Sequence, residues 1–353
     1  MSKNPPRFHN PLIDWYLENA RDLPWRSTRD PYLIWLSEII LQQTRVDQGM
    51  SYYLDFASAY PKVTDLAAAK EEEVLKRWQG LGYYSRARNL HHTARYVTDE
   101  LGGVFPSTYK ELIGLKGVGD YTASAIASIC SDEACAVVDG NVYRVLSRVY
   151  GIGSAINSSA GQKEFKKLAQ TLIDASRPGT YNQALMEFGA RYCVPSNPDC
   201  ASCIFATNCW AYANGKVGAL PVKKPKAPSQ KRYLYFLVLL SADGTTVLQK
   251  RSTGIWKHLY QFPLVDSDRP LSMKELQQHE DFERYLANGN AGLNFYNEKA
   301  VLHKLSHRDL SIWFCIGPAE ELGPKAVPIG KIDTYPVPVV IERFISQFPP
   351  FSE

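Results

Sequence analysis

The sequence predicts an α+β protein of two domains, a mostly helical one followed by a mixed α/β one. Three observations point there. Apolar residues recur at spacings of three and four from residue 11 to about 190, the period of helices with one buried face. A cysteine cluster at 193–209 and a Pro/Lys stretch then close that region. Beyond the stretch come β-rich apolar runs bounded by turn residues. A length of 353 residues agrees with about two domains. The expected divisions are a helical domain at 1–215, a basic linker at 216–231 and a mixed domain at 232–353.

In chain order, helices are predicted over Leu12–Leu17, Leu33–Leu41, Leu75–Leu81, Tyr121–Ile129 and Val142–Val149. Loops such as Gly102-Gly103 and Phe105-Pro106-Ser107 separate them. Pro221, Lys223, Lys224, Pro225, Lys226 and Pro228 suit an extended linker. Tyr233–Ser241 reads as a strand, Asp243-Gly244 as a turn and Thr245–Gln249 as the returning strand. Met273–Leu286 is a helix candidate and Leu310–Ile316 another strand. The longest apolar run, Tyr233–Leu240, is too short to cross a bilayer. The first ten residues carry no apolar signal core. An intracellular, membrane-free protein is expected, where clustered cysteines suggest metal binding or catalysis rather than disulfides.

The net charge of +4 is unevenly placed. Residues 1–209 hold 22 basic and 22 acidic side chains, 210–232 hold 6 basic and none acidic, and 233–353 hold 12 basic and 14 acidic. A nucleic-acid partner would therefore be met by local patches and oriented backbone groups, not by a basic domain.

Four features carry chemistry. Cys193, Cys200, Cys203 and Cys209 can enclose one metal centre, and the spacing suits tetrahedral zinc or an iron–sulfur cluster equally. Cys130, Cys135 and Cys315 lie in apolar surroundings and read as packing residues. In Leu115-Lys116-Gly117-Val118-Gly119-Asp120-Tyr121, two glycines make a tight turn before a helix. It is either an ordinary interhelical turn or a set of backbone N–H groups for a phosphate. Asp139 stands where an apolar run yields to a helix, a helix cap and an anion at once. Arg144 and Arg148 share the next helix face, for phosphate or for water. Glu38 is the only formal charge between Asp30 and Arg45. It is either an exposed stripe residue or a buried acid with a raised pKa. Paired with an ionised Asp139, a protonated Glu38 would suit cleavage of a glycosidic bond.

These residues resemble the endonuclease III superfamily of DNA glycosylases, and within it the adenine DNA glycosylases of the MutY family. The matching segments are Leu23-Pro24-Trp25-Arg26, Trp35-Leu36-Ser37-Glu38, Leu41-Gln42-Gln43-Thr44, the stretch from Gly80 to Leu90 with Tyr83, Tyr84, Arg86 and Arg88, the Gly hairpin, Val138–Val142, Asn182-Gln183-Ala184 and the cysteines. They cover nearly all of residues 11–210.

The resemblance implies a helix-hairpin-helix domain with a [4Fe–4S] cluster on Cys193, Cys200, Cys203 and Cys209. The loop between the first two cysteines, Val194 to Asp199, lacks the basic residues that relatives often place there. The implied substrate is double-stranded DNA with adenine opposite 8-oxoguanine or guanine, its base flipped from the stack. Glu38 would protonate N7 and Asp139 would stabilise the sugar cation. Asn141 would position Asp139 or water, and Tyr121 would hydrogen-bond within the site. Bifunctional relatives carry lysine where this chain has Tyr121, so a glycosylase without strand cleavage is expected. Trp25, Arg26, Leu41, Val46 and Gln183 match adenine-pocket positions. Gln43 and Tyr83 match residues inserted beside the oxidised guanine, with Thr44, Arg86, Arg88, Gly117 and Gly119 at the DNA backbone.

The C-terminal domain resembles the Nudix-like domain of the same family, without the catalytic helix motif in Met273–Leu286. In Lys304-Leu305-Ser306-His307-Arg308, Ser306 and His307 match the pair that discriminates 8-oxoguanine, while Leu305 replaces the usual aromatic. Trp256, His258 and Phe262 read as core or strand residues. The rivals are a pyrimidine glycosylase of the superfamily and a silent mismatch-binding protein. A monomer is expected, in a bacterial cytoplasm because the match begins near the N-terminus. No motif for a partner protein is legible.

Overall fold

A computed structural model describes residues 8–226, 228–285, 292–319, 322 and 325–352. Packing divides the chain into two units, residues up to 67 with 92–226, and residues 68–91 with 227 onward.

The first unit is helical. Helix His9–Asn19 packs on Pro178–Arg191, which in turn packs on Gly140–Tyr150 and Asp120–Cys130. Leu12, Ile13, Val145, Leu146, Phe165, Leu185 and Phe188 fill the core between them, where burying each large side chain contributes about 1.5–3 kcal/mol. Two glycines set how closely the central helix approaches its neighbours. A Cβ at Gly179 would lie 2.6 Å from the Ser128 carbonyl oxygen, and one at Gly189 would lie 2.7 Å from the Asn141 Cβ. Between them, the buried Asn182 accepts from the Val137 N–H at 3.1 Å and donates to Ser128 Oγ at 2.9 Å and to the Cys135 carbonyl at 2.8 Å. Lys166 Nζ reaches the Ala136 carbonyl at 2.7 Å. The extended segment leading into Asp139 is thus clamped on both sides.

Helix Pro31–Leu41 begins with Asp30 accepting from the Tyr32 N–H at 2.9 Å and with Pro31 at its first position, both favourable at a helix start. Trp35, Leu36, Ser37 and Ile40 are completely buried. The helix is enclosed on nearly every face, which explains its lack of an amphipathic stripe.

In the second unit, strands Gln230–Leu240 and Arg308–Pro318 run parallel at the centre of the sheet. Leu264–Ser267 pairs antiparallel with the first strand, and Asn294–Phe295 and Val301–Lys304 pair antiparallel with the second. Helix Val339–Gln347 covers one face with Ile341 and Phe344.

Four expectations change. Thr245–Val247 does not return along the first strand but pairs with Ala326–Pro328, while Gln249–Lys250 pairs with Tyr260–Gln261. The Met273–Leu286 helix is two short ones, Met273–Gln277 and Glu280–Tyr285, and Leu286 lies outside the described residues. The Leu75–Leu81 helix is Glu71–Arg77, because Gly80 and Gly82 turn the chain at φ +96° and +71°. Part of the Pro/Lys stretch is pinned: Asn157 bonds both backbone groups of Lys224, and the Ile156 N–H meets the Val222 carbonyl. Among the described residues, no helix is long and apolar enough to cross a membrane.

Candidate active site

Glu38 sits on the last full turn of the Pro31–Leu41 helix. Withdrawal of its carboxyl from water raises its pKa to about 7, against a lowering hydrogen bond from Tyr121. Asp139 raises it further and Arg26 opposes. Tyr121 lies in the first turn of Asp120–Cys130. Burial and the two acids hold its hydroxyl protonated, well above the usual tyrosine range, and that hydroxyl also reaches Met186 Sδ at 3.4 Å.

Asp139 caps helix Gly140–Tyr150. One carboxylate oxygen accepts from the Val142 N–H at 2.7 Å and the other from Asn141 Nδ2 at 2.8 Å. Asn141 is itself oriented by Arg144, whose Nη2 donates to its Oδ1 at 2.9 Å and to the Gly189 carbonyl at 2.5 Å. Burial raises the Asp139 pKa in spite of these donors and of Arg144. The sequence reading treats Asp139 as a permanent anion. In the structure the donors favour that charge and desolvation opposes it, with a net upward shift from the ordinary aspartate range.

Trp25 is buried edge-on against Tyr53, with ring centroids 5.1 Å apart. Gln183 Oε1 accepts from the Tyr16 hydroxyl at 2.6 Å. Leu41 is half-buried and packs where Gly49 leaves room, with Val46 opening the next helix. Arg26 does not stand alone. Its Nη2 bonds Glu187 Oε2 at 2.8 Å, and Arg21 grips both oxygens of the same carboxylate at 2.7 Å. Desolvation would raise the Glu187 pKa, but the two guanidinium groups hold it at about 2. Sequence reasoning passed over Glu187. The available signal was a lone acid between Leu185 and Phe188 on an otherwise apolar helix face.

In the hairpin, Gly117 has φ +84° and needs to be glycine, whereas Gly119 is extended at φ −98° and caps the following helix. The Asp120 carboxylate beside it is held by Lys166 at 2.8 Å and the Tyr109 hydroxyl at 2.9 Å. Gln43 is exposed and left-handed at φ +57°, a backbone state that costs about 1–3 kcal/mol for a residue with a side chain. Thr44 follows in the same turn, its N–H on the Leu41 carbonyl at 3.1 Å.

Residues 36–171 match the HhH-GPD superfamily of base excision DNA repair proteins. An adenine DNA glycosylase of Buchnera aphidicola subsp. Baizongia pistaciae is 34% identical over 88% of this chain and 86% of its own length. The chain belongs to the adenine DNA glycosylase family. A mouse adenine DNA glycosylase is 47% identical over 61% of the chain, which spans 44% of that longer protein. A solved structure of a thermostable thymine-DNA glycosylase is 33% identical over 59% of this chain and 95% of its own, with a TM-score of 0.55. Members of this family are DNA glycosylases, hydrolases of N-glycosidic bonds in base excision repair. The helical fold is that of the HhH-GPD superfamily.

Cys193, Cys200, Cys203 and Cys209 line one pocket with Arg148 and Phe205. Arg148 Nη1 reaches Cys193 Sγ at 3.4 Å, and the Phe205 N–H reaches Cys203 Sγ at 3.4 Å. Among the described residues, no group of three or more His, Cys, Asp or Glu is close enough to hold a metal ion. Arg144 is half-buried and Arg148 buried, and both bond protein groups. Arg144 Nε donates to the Cys193 carbonyl at 2.7 Å, and the buried Arg148 bonds the carbonyls of Val194, Pro195 and Val217.

In the second unit, Tyr83 is 53% exposed and left-handed at φ +46°. The flanking arginines bond backbone carbonyls of the protein. Arg86 is buried, its guanidinium 4.9 Å from the Trp78 ring and bonded to the Leu81 and Gly82 carbonyls, and burial lowers its pKa to about 10. Arg88 donates to the Lys257 carbonyl at 2.8 Å. Ser306 and His307 are exposed on the turn between two strands, their side chains 3.2 Å apart, while Leu305 packs on the core. Phe262 is core, Trp256 is partly buried against it and His258 bonds Glu71.

Proposed function

We propose that this chain removes adenine paired with 8-oxoguanine or guanine from duplex DNA. The single observation that carries the reading is the Glu38–Tyr121–Asp139 arrangement, in which one carboxyl is protonated near neutral pH and a second stands at a helix N-terminus. Glu38 gives its proton to N7 of the flipped adenine, with the Tyr121 hydroxyl orienting the carboxyl. As the N-glycosidic bond breaks, positive charge grows on the sugar. Desolvation disfavours the Asp139 carboxylate in spite of Arg144, so the growing cation relieves an anion that its surroundings penalise. This is stabilisation realised in the transition state rather than before it. Asn141, fixed by Arg144, keeps the carboxylate aimed. Tyrosine at 121 cannot form a Schiff base, so the product is an intact strand with an abasic site.

Trp25, Arg26, Leu41, Val46 and Gln183 line the adenine pocket, Arg26 being held by Glu187. Gln43 and Tyr83 enter the helix beside the oxidised base, supported by the strained backbone at both positions. The 232–353 region acts as a Nudix-like recognition domain, with Ser306 and His307 reading 8-oxoguanine. The four cysteines suit a [4Fe–4S] cluster better than zinc, because they surround a pocket rather than a point and N–H groups face two of the sulfurs. Bound there, the cluster would tie residues 193–209 together and supply one-electron chemistry.

A second reading, thymine excision, is favoured by the similarity to a thymine-DNA glycosylase. Single-turnover assays on A:8-oxoG, A:G and T:G duplexes, with and without alkali, separate the two. Adenine release visible as strand breaks only after alkali is expected. Preferential cleavage of T:G would overturn the adenine reading.

A further inference from the structure

We propose that Glu72, Gln79 and Tyr84 are positioning residues that seat the Tyr83 loop on the C-terminal strands and loops. The proposal rests on the reading of Tyr83 as a side chain that enters DNA. The matching sequence places this loop with the helical domain, yet residues 68–91 pack with residues 227 onward.

The seat is built from both ends of the loop. Just before it, Gln79 Oε1 accepts from the Val337 N–H at 3.1 Å. Just after it, the buried Tyr84 donates its hydroxyl to the Val337 carbonyl at 3.3 Å and accepts from the Gly80 N–H at 3.4 Å. One backbone unit is thus gripped from both flanks of the turn that carries Tyr83. The helix entering the loop is tied down at its first turn. Glu72 Oε1 accepts from Lys250 Nζ at 2.9 Å and from the Tyr260 hydroxyl at 2.8 Å, and Glu71 meets His258 Nδ1 at 2.6 Å. On the exit side, Arg88 holds the Lys257 carbonyl. The receiving loop is itself strained, with Trp256 and His258 at φ +59° and +68°. Within the loop, the Gly82 carbonyl accepts from Trp78 Nε1 at 3.0 Å and from Arg86, whose guanidinium lies 5.8 Å from the Tyr83 ring. A wedge works only if its base does not yield, and the strained, exposed Tyr83 has its base fixed by C-terminal groups.

The test uses the full chain and an A:8-oxoG duplex with a 2′-fluorinated adenosine that resists cleavage and a 2-aminopurine beside the 8-oxoguanine. Insertion of Tyr83 unstacks the probe and raises its fluorescence. Tyr84→Phe, Glu72→Gln and Lys250→Ala should each cut that rise and weaken duplex binding by about fivefold, and none should add to the loss caused by Tyr83→Ala. The excision rate on an ordinary duplex at saturating protein should stay within about twofold of the parent, since the pocket is untouched. Lys250→Arg, which keeps the ion pair to Glu72, should restore both signals. If Tyr83→Ala abolishes the rise while the other variants leave it intact, or if their losses add to it, the seat is wrong and the wedge stands. If Tyr83→Ala leaves the rise unchanged, the wedge reading falls and the proposal falls with it.

Discussion

Glu38 keeps a proton near neutrality because its carboxyl is desolvated and faces Asp139, and the Tyr121 hydroxyl only partly offsets this. A pKa of about 7 against a usual 4.5 means the folded state binds more protons than the unfolded one between those values. Stability from this group is therefore full below pH 4.5 and is lost as pH rises through about 7. Glu38→Gln should raise the melting temperature at pH 8 and change it little at pH 5, while lowering excision by about 10²–10⁴-fold. In the parent, the single-turnover rate should fall as pH rises through about 7. A flat profile would remove Glu38 as the acid. Glu187 has the opposite sign. Held at about 2 by Arg21 and Arg26, it stabilises the fold above pH 4.5, and that stability is lost as pH falls towards 2. Glu187→Gln should destabilise by about 3 kcal/mol at pH 7 in denaturant melts, because two guanidinium groups lose their anion.

At the scale of elements, the site depends on how closely two helices approach. Pro178–Arg191 meets the start of Gly140–Tyr150 at Gly189, where an added Cβ would press on Asn141 at 2.7 Å. Asn141 is the residue that donates to Asp139. Gly189→Ala should therefore slow excision by about tenfold to a hundredfold through sub-ångström displacement, with duplex affinity unchanged in a binding titration. Equal loss in both measurements would point to general unfolding. Arg144 joins the same contact to the cysteine loop, bonding Asn141, the Gly189 carbonyl and the Cys193 carbonyl together. The geometry of the cysteine segment and that of Asp139 are thus mechanically linked.

For the whole molecule, residues 1–209 balance 22 basic against 22 acidic side chains, so this region offers a DNA backbone no basic excess. Several arginines that composition alone would assign to phosphate are spent on internal carbonyls. Arg86, Arg88, Arg144 and Arg148 all bond backbone oxygens. Iron and sulfide analysis of the purified full-length chain should find about four of each per chain, with Cys200→Ser losing both. One zinc and no sulfide would overturn the cluster.

The sequence by itself determined the coarse α+β layout, a helical region followed by a mixed α/β one, the helix start at Asp139 and the tight turn at Gly117. Each of these follows from local rules, namely periodicity, capping and the conformational freedom of glycine. Tertiary structure alone decided the rest. The protonation of Glu38 required knowing that no face of its helix meets water freely. The raised pKa of Asp139 required weighing three local donors against burial. Glu187 became visible only when residues 21, 26 and 187 converged. The grouping of residues 68–91 with the C-terminal strands, and the departure of Thr245–Val247 to pair with Ala326–Pro328, are long-range pairings. The free energy that selects them is buried area and hydrogen bonds made between segments far apart in sequence, which local patterns do not encode.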